Sequence, residues 1–209
     1  MFSLQTIFGK GDLFYGLLEA SADAARQSTR ALIALLNAPV STRSLDEFRV
    51  ARRREKELFG QISEALVNTF VTALEREDIE ALAGALYKIP KTVEKFAERY
   101  VLFADRLADV DFASRAAMLE KAADVIVQMT NQLRSGYRLD VMRDLNERMQ
   151  SIESEADRLI LDLYQDLFTN ERDPSKLLLR KDLFELLEKA IDRCRDAGNV
   201  IFQIVLKNS

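Results

Sequence analysis

Apolar residues recur every three or four positions along almost the whole 209-residue chain, and no strand-like alternation of comparable length competes with that period. At 1.5 Å per residue, four of the helices that this pattern predicts would be about 45–50 Å long. Because such long helices cannot bury their apolar stripes alone, the pattern predicts an all-α protein of antiparallel bundles. The six predicted helices lie near residues 12–37, 45–74, 78–108, 112–134, 138–169 and 175–206.

Two of the breaks between helices carry recognisable start signals. Ser44 and Glu47 have the spacing of a capping box ahead of the second helix. Asp173 followed by Pro174 is typical of an N-cap and a first helical residue. These signals place helix starts near residues 45 and 174.

The two halves of the chain resemble each other. Matching Phe70 to Phe168 gives an offset of 98, and past the following turn an offset of 101 aligns Leu86 with Leu187. This internal match predicts a duplicated three-helix unit. We therefore expect two tandem antiparallel three-helix bundles, formed by residues 1–109 and 110–209.

The composition narrows the class of protein. A content of 48% hydrophobic and 31% charged residues is ordinary for a soluble globular protein, and a net charge of −4 gives no reason to expect nucleic acid as a partner. One cysteine excludes an internal disulfide framework, and no stretch approaches about 18 consecutive apolar residues. We expect a cytoplasmic protein that reaches a membrane only through a partner.

Carboxylates recur at helical spacing on the fifth and sixth helices. Glu153 and Asp157, in "IESEADRL", are four residues apart and share one helix face, where like charges destabilise a helix by a few tenths of a kcal/mol. Glu188, Asp192 and Asp196 repeat the arrangement on the sixth helix. All five flank an apolar stripe, with Asp196 turned furthest toward solvent. If the two helices are antiparallel neighbours, these acids meet in one groove.

The residue types limit what such an acid cluster could bind. The chain has no histidine, which excludes histidine-based zinc sites and Glu-x-x-His di-iron sites. Carboxylates alone suit iron, manganese, magnesium or calcium. The alternative is a rim of salt bridges, because Arg158, Lys189, Arg193 and Arg195 are close enough in sequence to pair with the acids. Cys194 lies inside the apolar stripe and is expected to be a buried, inert thiol.

The first half lacks the same chemistry. The three acids of the sixth helix correspond there to Tyr87, Lys91 and Lys95, while Glu153 corresponds to Glu55. Lysine at these positions would supply positive charge directly. The nearby basic segment "ARRREK", at residues 51–56, is expected to be a solvated helix face.

Five segments together resemble the PhoU superfamily, and most of all the PhoU-like proteins that accompany Pit-type inorganic phosphate permeases. The resemblance covers nearly the whole chain in order, and it is most specific in the C-terminal third. The segments are "KGDLFYGLLEASADAA" (10–25), "TFVTALEREDIEALAGAL" (69–86), "IESEADRL" (152–159), "DLFTNERDP" (166–174) and "ELLEKAIDRCRDAGNVIFQIVLKN" (185–208).

The resemblance implies two three-helix bundles whose Glu/Asp-x-x-x-Asp motifs hold metal ions, often iron and in some cases zinc or other ions. The motifs of the second bundle match a metal-ligand set of Glu153, Asp157, Glu188, Asp192 and Asp196. Iron is the first expectation, with manganese, zinc or magnesium as alternatives. The first bundle has Tyr87, Lys88 and Lys91 where the family usually has acids, so metal binding is not expected there.

The function that the resemblance implies is regulation of phosphate uptake or phosphate signalling, without catalysis. The expected partner is a phosphate permease or a phosphate-signalling protein, and a homo-oligomer is expected. Two alternatives stay open at this point. One is a metal-free helical adaptor, and the other is an enzyme that uses the acid cluster for metal-assisted hydrolysis.

Overall fold

The computed structural model describes residues 4–107 and 109–209, with side chains from Asp12 onward except those of Val40 and Ala108. Within these ranges the regular secondary structure is entirely helical, with no strand, which confirms the all-α prediction. Short 3-10 turns follow the first and third helices. The helices are α1 (Leu4–Asn37), α2 (Asp46–Asn68), α3 (Arg76–Leu102), α4 (Ala113–Arg134), α5 (Leu139–Asn170) and α6 (Pro174–Asn208).

Helix α2 ends at Asn68, earlier than the predicted residue 74, because the following loop is tied to the core. Thr69 and Leu74 are both buried. The guanidinium of Arg76 donates to the carbonyl of Thr69 at 2.7 Å and also to the carbonyl of Leu66. These bonds satisfy carbonyls that the end of a helix leaves free. The loop is apolar enough to extend the helical pattern, so sequence periodicity alone placed the end too late.

The two predicted start signals have different outcomes. Asp173 caps α6 by accepting a hydrogen bond from the Ser175 amide at 2.9 Å, and Pro174 is the first helical residue, as predicted. The prediction of a capping box at Ser44 is wrong. The Ser44 hydroxyl accepts from the Asp46 amide at 3.1 Å, whereas a capping box would need the amide of Glu47.

The helices form two three-membered groups. Helices α1, α2 and α3 contact one another, as do α4, α5 and α6, and the groups join through α1 against α4 and α3 against α6. The buried side chains of both groups belong to one continuous apolar core. The domain boundary after residue 109 stays a prediction, and residues 1–3 and Ala108 of the predicted N-terminal domain lie outside the described residues.

Helices α3 and α6 run antiparallel along this junction. Lys207, near the end of α6, pairs with Asp78 at the start of α3 at 2.7 Å. Arg99, near the end of α3, pairs with Asp182 near the start of α6. The turn before α3 and the turn before α6 therefore lie at opposite ends of the molecule. None of the described helices combines the length and the apolar character needed to cross a membrane.

Candidate functional site

Helices α5 and α6 form an antiparallel pair across the short turn at residues 171–173. Near the turn, the Tyr164 hydroxyl donates to Glu185 Oε1 at 2.8 Å. Further along, Arg195 of α6 donates to Glu153 of α5. The predicted antiparallel arrangement is therefore confirmed, and Arg195 links Glu153 of α5 to Asp192 of α6. We call Glu153, Asp157, Glu188, Asp192 and Asp196 the acid cluster.

The members of the acid cluster are buried to different extents. The side chain of Glu153 is 15% exposed, that of Asp192 30% and that of Asp196 41%. Glu188 is half-buried, and Asp157 is exposed. Asp196 lies further out than Asp192, as the helical projection predicted.

The guanidinium of Arg195 lies among three of these acids. Its Nη1 contacts Glu153 and lies 3.4 Å from Asp192 Oδ1, and its Nη2 lies 3.6 Å from Asp196 Oδ1. Arg193 adds a second cation, 2.9 Å from Asp196. The salt-bridged rim weighed from the sequence is therefore present at this side of the groove.

The five carboxylates of the acid cluster carry more negative charge than Arg193 and Arg195 balance. Burial raises the pKa of Glu188 above its usual range, and the charges of Asp192 and Asp157 raise it further. Burial also raises the pKa of Asp192. There Arg195 opposes the shift, while Asp157, Asp196 and Glu153 add to it. An additional nearby cation would thus stabilise the charged form of both carboxyl groups.

The acids open onto a solvent-connected groove of about 580 Å³, which Glu188, Asp192 and Asp196 line together with Lys189 and Arg195. In chemical type the carboxylates fit a hard cation. As placed, however, no three Asp, Glu or Cys side chains in the described ranges form a metal-ligating group. Arg195 occupies the space among Glu153, Asp192 and Asp196, so a metal ion bound by those three would require its side chain to move. The metal site stays a prediction.

Cys194 contributes nothing to this groove. It is fully buried in the apolar core, and burial raises the pKa of its thiol well above the usual range. The expectation of a buried thiol inside the apolar stripe is confirmed, and its inertness stays a prediction.

In the first bundle the counterpart of Glu153 is Glu55, and the sequence analysis did not predict that this acid is buried. Glu55 is fully buried, and neither of its carboxylate oxygens has a hydrogen-bond partner among the described residues. Burial raises its pKa to about 7, while Arg52 and the nearby Ser21 of α1 oppose the shift. The expectation that "ARRREK" is a solvated face is therefore wrong for Arg52 and Glu55. Their spacing from Phe48 and Ile62 on the apolar stripe was an available signal.

Arg52 is paired across α2 and α3. Its Nε lies 3.2 Å from Glu94 Oε2, its Nη2 donates to the Tyr87 hydroxyl at 3.0 Å, and its guanidinium stacks over the Tyr87 ring at 4.6 Å. Under the offset of 101, Glu94 corresponds to Arg195 of the second bundle. The cation is therefore on the second helix of the first bundle and on the third helix of the second bundle. The lysines predicted to replace acids, Lys88, Lys91 and Lys95, are exposed on α3.

Comparisons with known proteins find two proteins whose sequences are similar to this chain over more than half of its length. No family model matches the chain. A putative Pit accessory protein of Rhizobium meliloti is 23% identical over 201 residues, which is 94% of each chain. The UPF0111 protein YkaA of Bacillus subtilis is 27% identical over 144 residues, which covers 69% of this chain and 70% of that protein.

Two solved structures from Shewanella oneidensis MR-1 share the architecture. One is a PhoU-like protein that superposes with a TM-score of 0.79 at 17% identity, covering 93% of this chain and 99% of that one. The other, a putative PhoU-like phosphate regulatory protein, gives a TM-score of 0.78 with the same coverage. These likenesses confirm the resemblance predicted from the sequence: the chain is an all-α protein with the PhoU-like fold.

Proposed function

We propose that this protein is a non-catalytic accessory regulator of a Pit-type phosphate permease, acting in the cytoplasm through protein contacts. The observation that carries this proposal is the similarity to a putative Pit accessory protein along 94% of both chains. The PhoU-like fold supports it, because a second protein of that fold is described as a putative phosphate regulatory protein.

The test is phosphate uptake by cells that carry the permease, with and without the gene for this protein, combined with affinity purification of the permease. We expect the uptake rate to change on deletion and the two proteins to copurify. Unchanged uptake together with no copurification would contradict the proposal. Sedimentation of the purified protein would test the predicted homo-oligomer.

We further propose that the acid cluster binds a metal ion, iron foremost, with manganese, zinc or magnesium as alternatives. Support comes from the raised pKa of Glu188 and Asp192, to which burial and the negative charge of Asp157 on α5 contribute. These three acids, with Glu153 and Asp196, would hold the ion, which would supply positive charge between α5 and α6. Because the ion would relieve repulsion among the acids, its removal should lower the stability of the second bundle near neutral pH.

Elemental analysis, with thermal unfolding before and after chelation, tests the metal proposal. No bound metal, and no change in Tm on adding iron, manganese or zinc, would remove it. Asp157→Asn and Asp192→Asn separate it from the metal-free adaptor. With metal present, these changes should lower Tm if the ion braces the bundle, and leave Tm equal or higher if the acids only repel one another. Turnover of a phosphate ester that is lost in Asp157→Asn would favour the hydrolase alternative.

A further inference from the structure

The loop between α2 and α3 presents apolar side chains to solvent at one end of the molecule. Phe70 is 98% exposed, and Val67 and Val71 are 82% and 61% exposed. We call residues 67–75 the α2–α3 tip. A fully exposed phenylalanine beside two exposed valines forms an apolar patch, and such patches on protein surfaces commonly mark interaction sites.

Buried side chains and hydrogen bonds anchor the backbone of this loop. Thr69 and Leu74 are buried in the same loop, and the Thr72 hydroxyl donates to the Leu74 carbonyl at 2.5 Å. Arg76 closes the loop by donating to the Thr69 carbonyl. Because the loop is held at both ends, Phe70 and Val71 are presented in a set position. A partner would then lose little conformational entropy in ordering them.

The charge around the α2–α3 tip is negative. Between positions 64 and 80 the chain has five acidic residues and one basic residue, Arg76. Arg76 is engaged with the loop carbonyls, and Lys207 pairs with Glu75 at 3.2 Å and with Asp78. Glu77 and Glu80 are exposed. The apolar patch is thus flanked by acids in excess of the cations near it.

We propose that the α2–α3 tip docks a basic and apolar cytoplasmic segment of the permease, an inference that rests on the proposed function. Cytoplasmic loops of membrane proteins carry an excess of Lys and Arg, so their charge complements the tip. An anionic lipid surface would be repelled by the same acids. The same tip of a second copy would also be repelled, which favours the permease segment over both other occupants.

The other end of the molecule provides a matched control. Phe168, the repeat counterpart of Phe70, is 60% exposed beside the turn before α6. Between positions 162 and 180 the chain has four acidic and three basic residues, so that end is nearly balanced in charge. Phe168→Ser removes an exposed phenylalanine ring, as Phe70→Ser does, but leaves the α2–α3 tip unchanged.

The experiment measures binding of the full chain to the purified permease in phosphatidylcholine nanodiscs. We expect Phe70→Ser to weaken binding about tenfold or more, as for a central aromatic contact residue, and Phe168→Ser to change it less than about threefold. Glu77→Lys combined with Glu80→Lys should also weaken binding, and more strongly at low salt. Thermal unfolding should be unchanged in Phe70→Ser, because its side chain contributes almost nothing to the core.

Each other outcome overturns the inference in a distinct way. If Phe70→Ser binds the permease with the same affinity as the wild-type protein, the docking surface is overturned and the proposed function is left in place. No wild-type binding to the permease overturns both. Pelleting with anionic vesicles that is lost in Phe70→Ser would assign the patch to lipid, and a dimer that dissociates in Phe70→Ser would assign it to a second copy.

Discussion

The two bundles use equivalent helix positions for different chemistry. In the second bundle, Glu153 of α5 and the acids of α6 surround Arg195, and the groove is open to solvent. In the first bundle, Arg52 of α2 pairs with Glu94 of α3, while Glu55 is sealed inside and its carboxylate accepts no hydrogen bond from the described residues. The three-helix scaffold thus tolerates exchange of charge between neighbouring helices. An acid that water and cations can reach can bind a cation, whereas a buried acid without a cation destabilises the folded state.

The largest expected effect concerns Glu55. An unfolded glutamate has an ordinary pKa near 4.5, and burial raises the pKa of Glu55 to about 7. Between these values the folded state holds more protons than the unfolded state, so stability falls as the pH rises through this window and the full cost remains above pH 7. Glu55→Gln removes the cost and should raise the free energy of unfolding by about 3 kcal/mol at pH 8.

Chemical unfolding of both proteins at pH 5 and pH 8 checks this expectation. The gain in Glu55→Gln should be small at pH 5 and large at pH 8. The counterpart change, Glu153→Gln, should instead destabilise at both pH values, because Glu153 is paired with Arg195. A stability of the wild-type protein that does not change between pH 5 and pH 8 would contradict the account of Glu55.

The next effect is at Arg52, whose side chain is only 9% exposed. Arg52→Met leaves Glu94 partly buried without its cation and removes the bond to the Tyr87 hydroxyl. We expect a loss of about 2 kcal/mol, below the range for fully buried pairs because Glu94 retains some solvent contact. Arg53→Met, on the exposed side of α2, is the control and should change the free energy of unfolding by less than about 0.5 kcal/mol. Equal effects of the two changes would show that the pair does not brace the first bundle.

The next prediction concerns whether a metal ion can replace the Arg195 guanidinium in the groove between α5 and α6. Arg195→Gln should destabilise the metal-free protein by about 1 kcal/mol, because the acids lose a partly exposed cation. It should also strengthen Mn²⁺ binding by about tenfold, since one competing charge is removed. Titration calorimetry of this variant beside Arg193→Gln, which removes a cation at the outer edge, measures the difference. Identical Mn²⁺ affinity in the wild-type protein and both variants would show that Arg195 does not compete with the ion.

The smallest effect compares the starts of α3 and α6. Asp173 caps α6 through the Ser175 amide, so Asp173→Ala should lower the Tm. Glu75 occupies the same position before α3 but makes no capping bond with its side chain. Glu75→Ala should therefore lower the Tm less than Asp173→Ala does, because it loses only an exposed pair with Lys207. Thermal unfolding distinguishes the two, and equal losses would contradict the difference in capping.

The placement of Glu188, Asp192 and Asp196 along one groove was predictable from sequence, and the position of the counter-charge was not. Helical spacing placed Glu188 and Asp192 on one face, and the short turn at Asp173 made α5 and α6 antiparallel. Arg195 was only one of several candidate partners, because the direction in which a long side chain turns depends on the neighbouring helix. Its contacts with Glu153 and Asp192 are tertiary features.

The sequence by itself determined the number and order of the helices, the cap at Asp173, and the resemblance between the halves. These properties follow from local spacing and from backbone chemistry within a few residues. Only the tertiary structure decided that Glu55 is sealed from water while Asp157 is exposed, and that Phe70 extends from a fixed loop. Burial and pairing depend on which helix faces are packed together, and that packing is set by contacts between residues far apart in the chain.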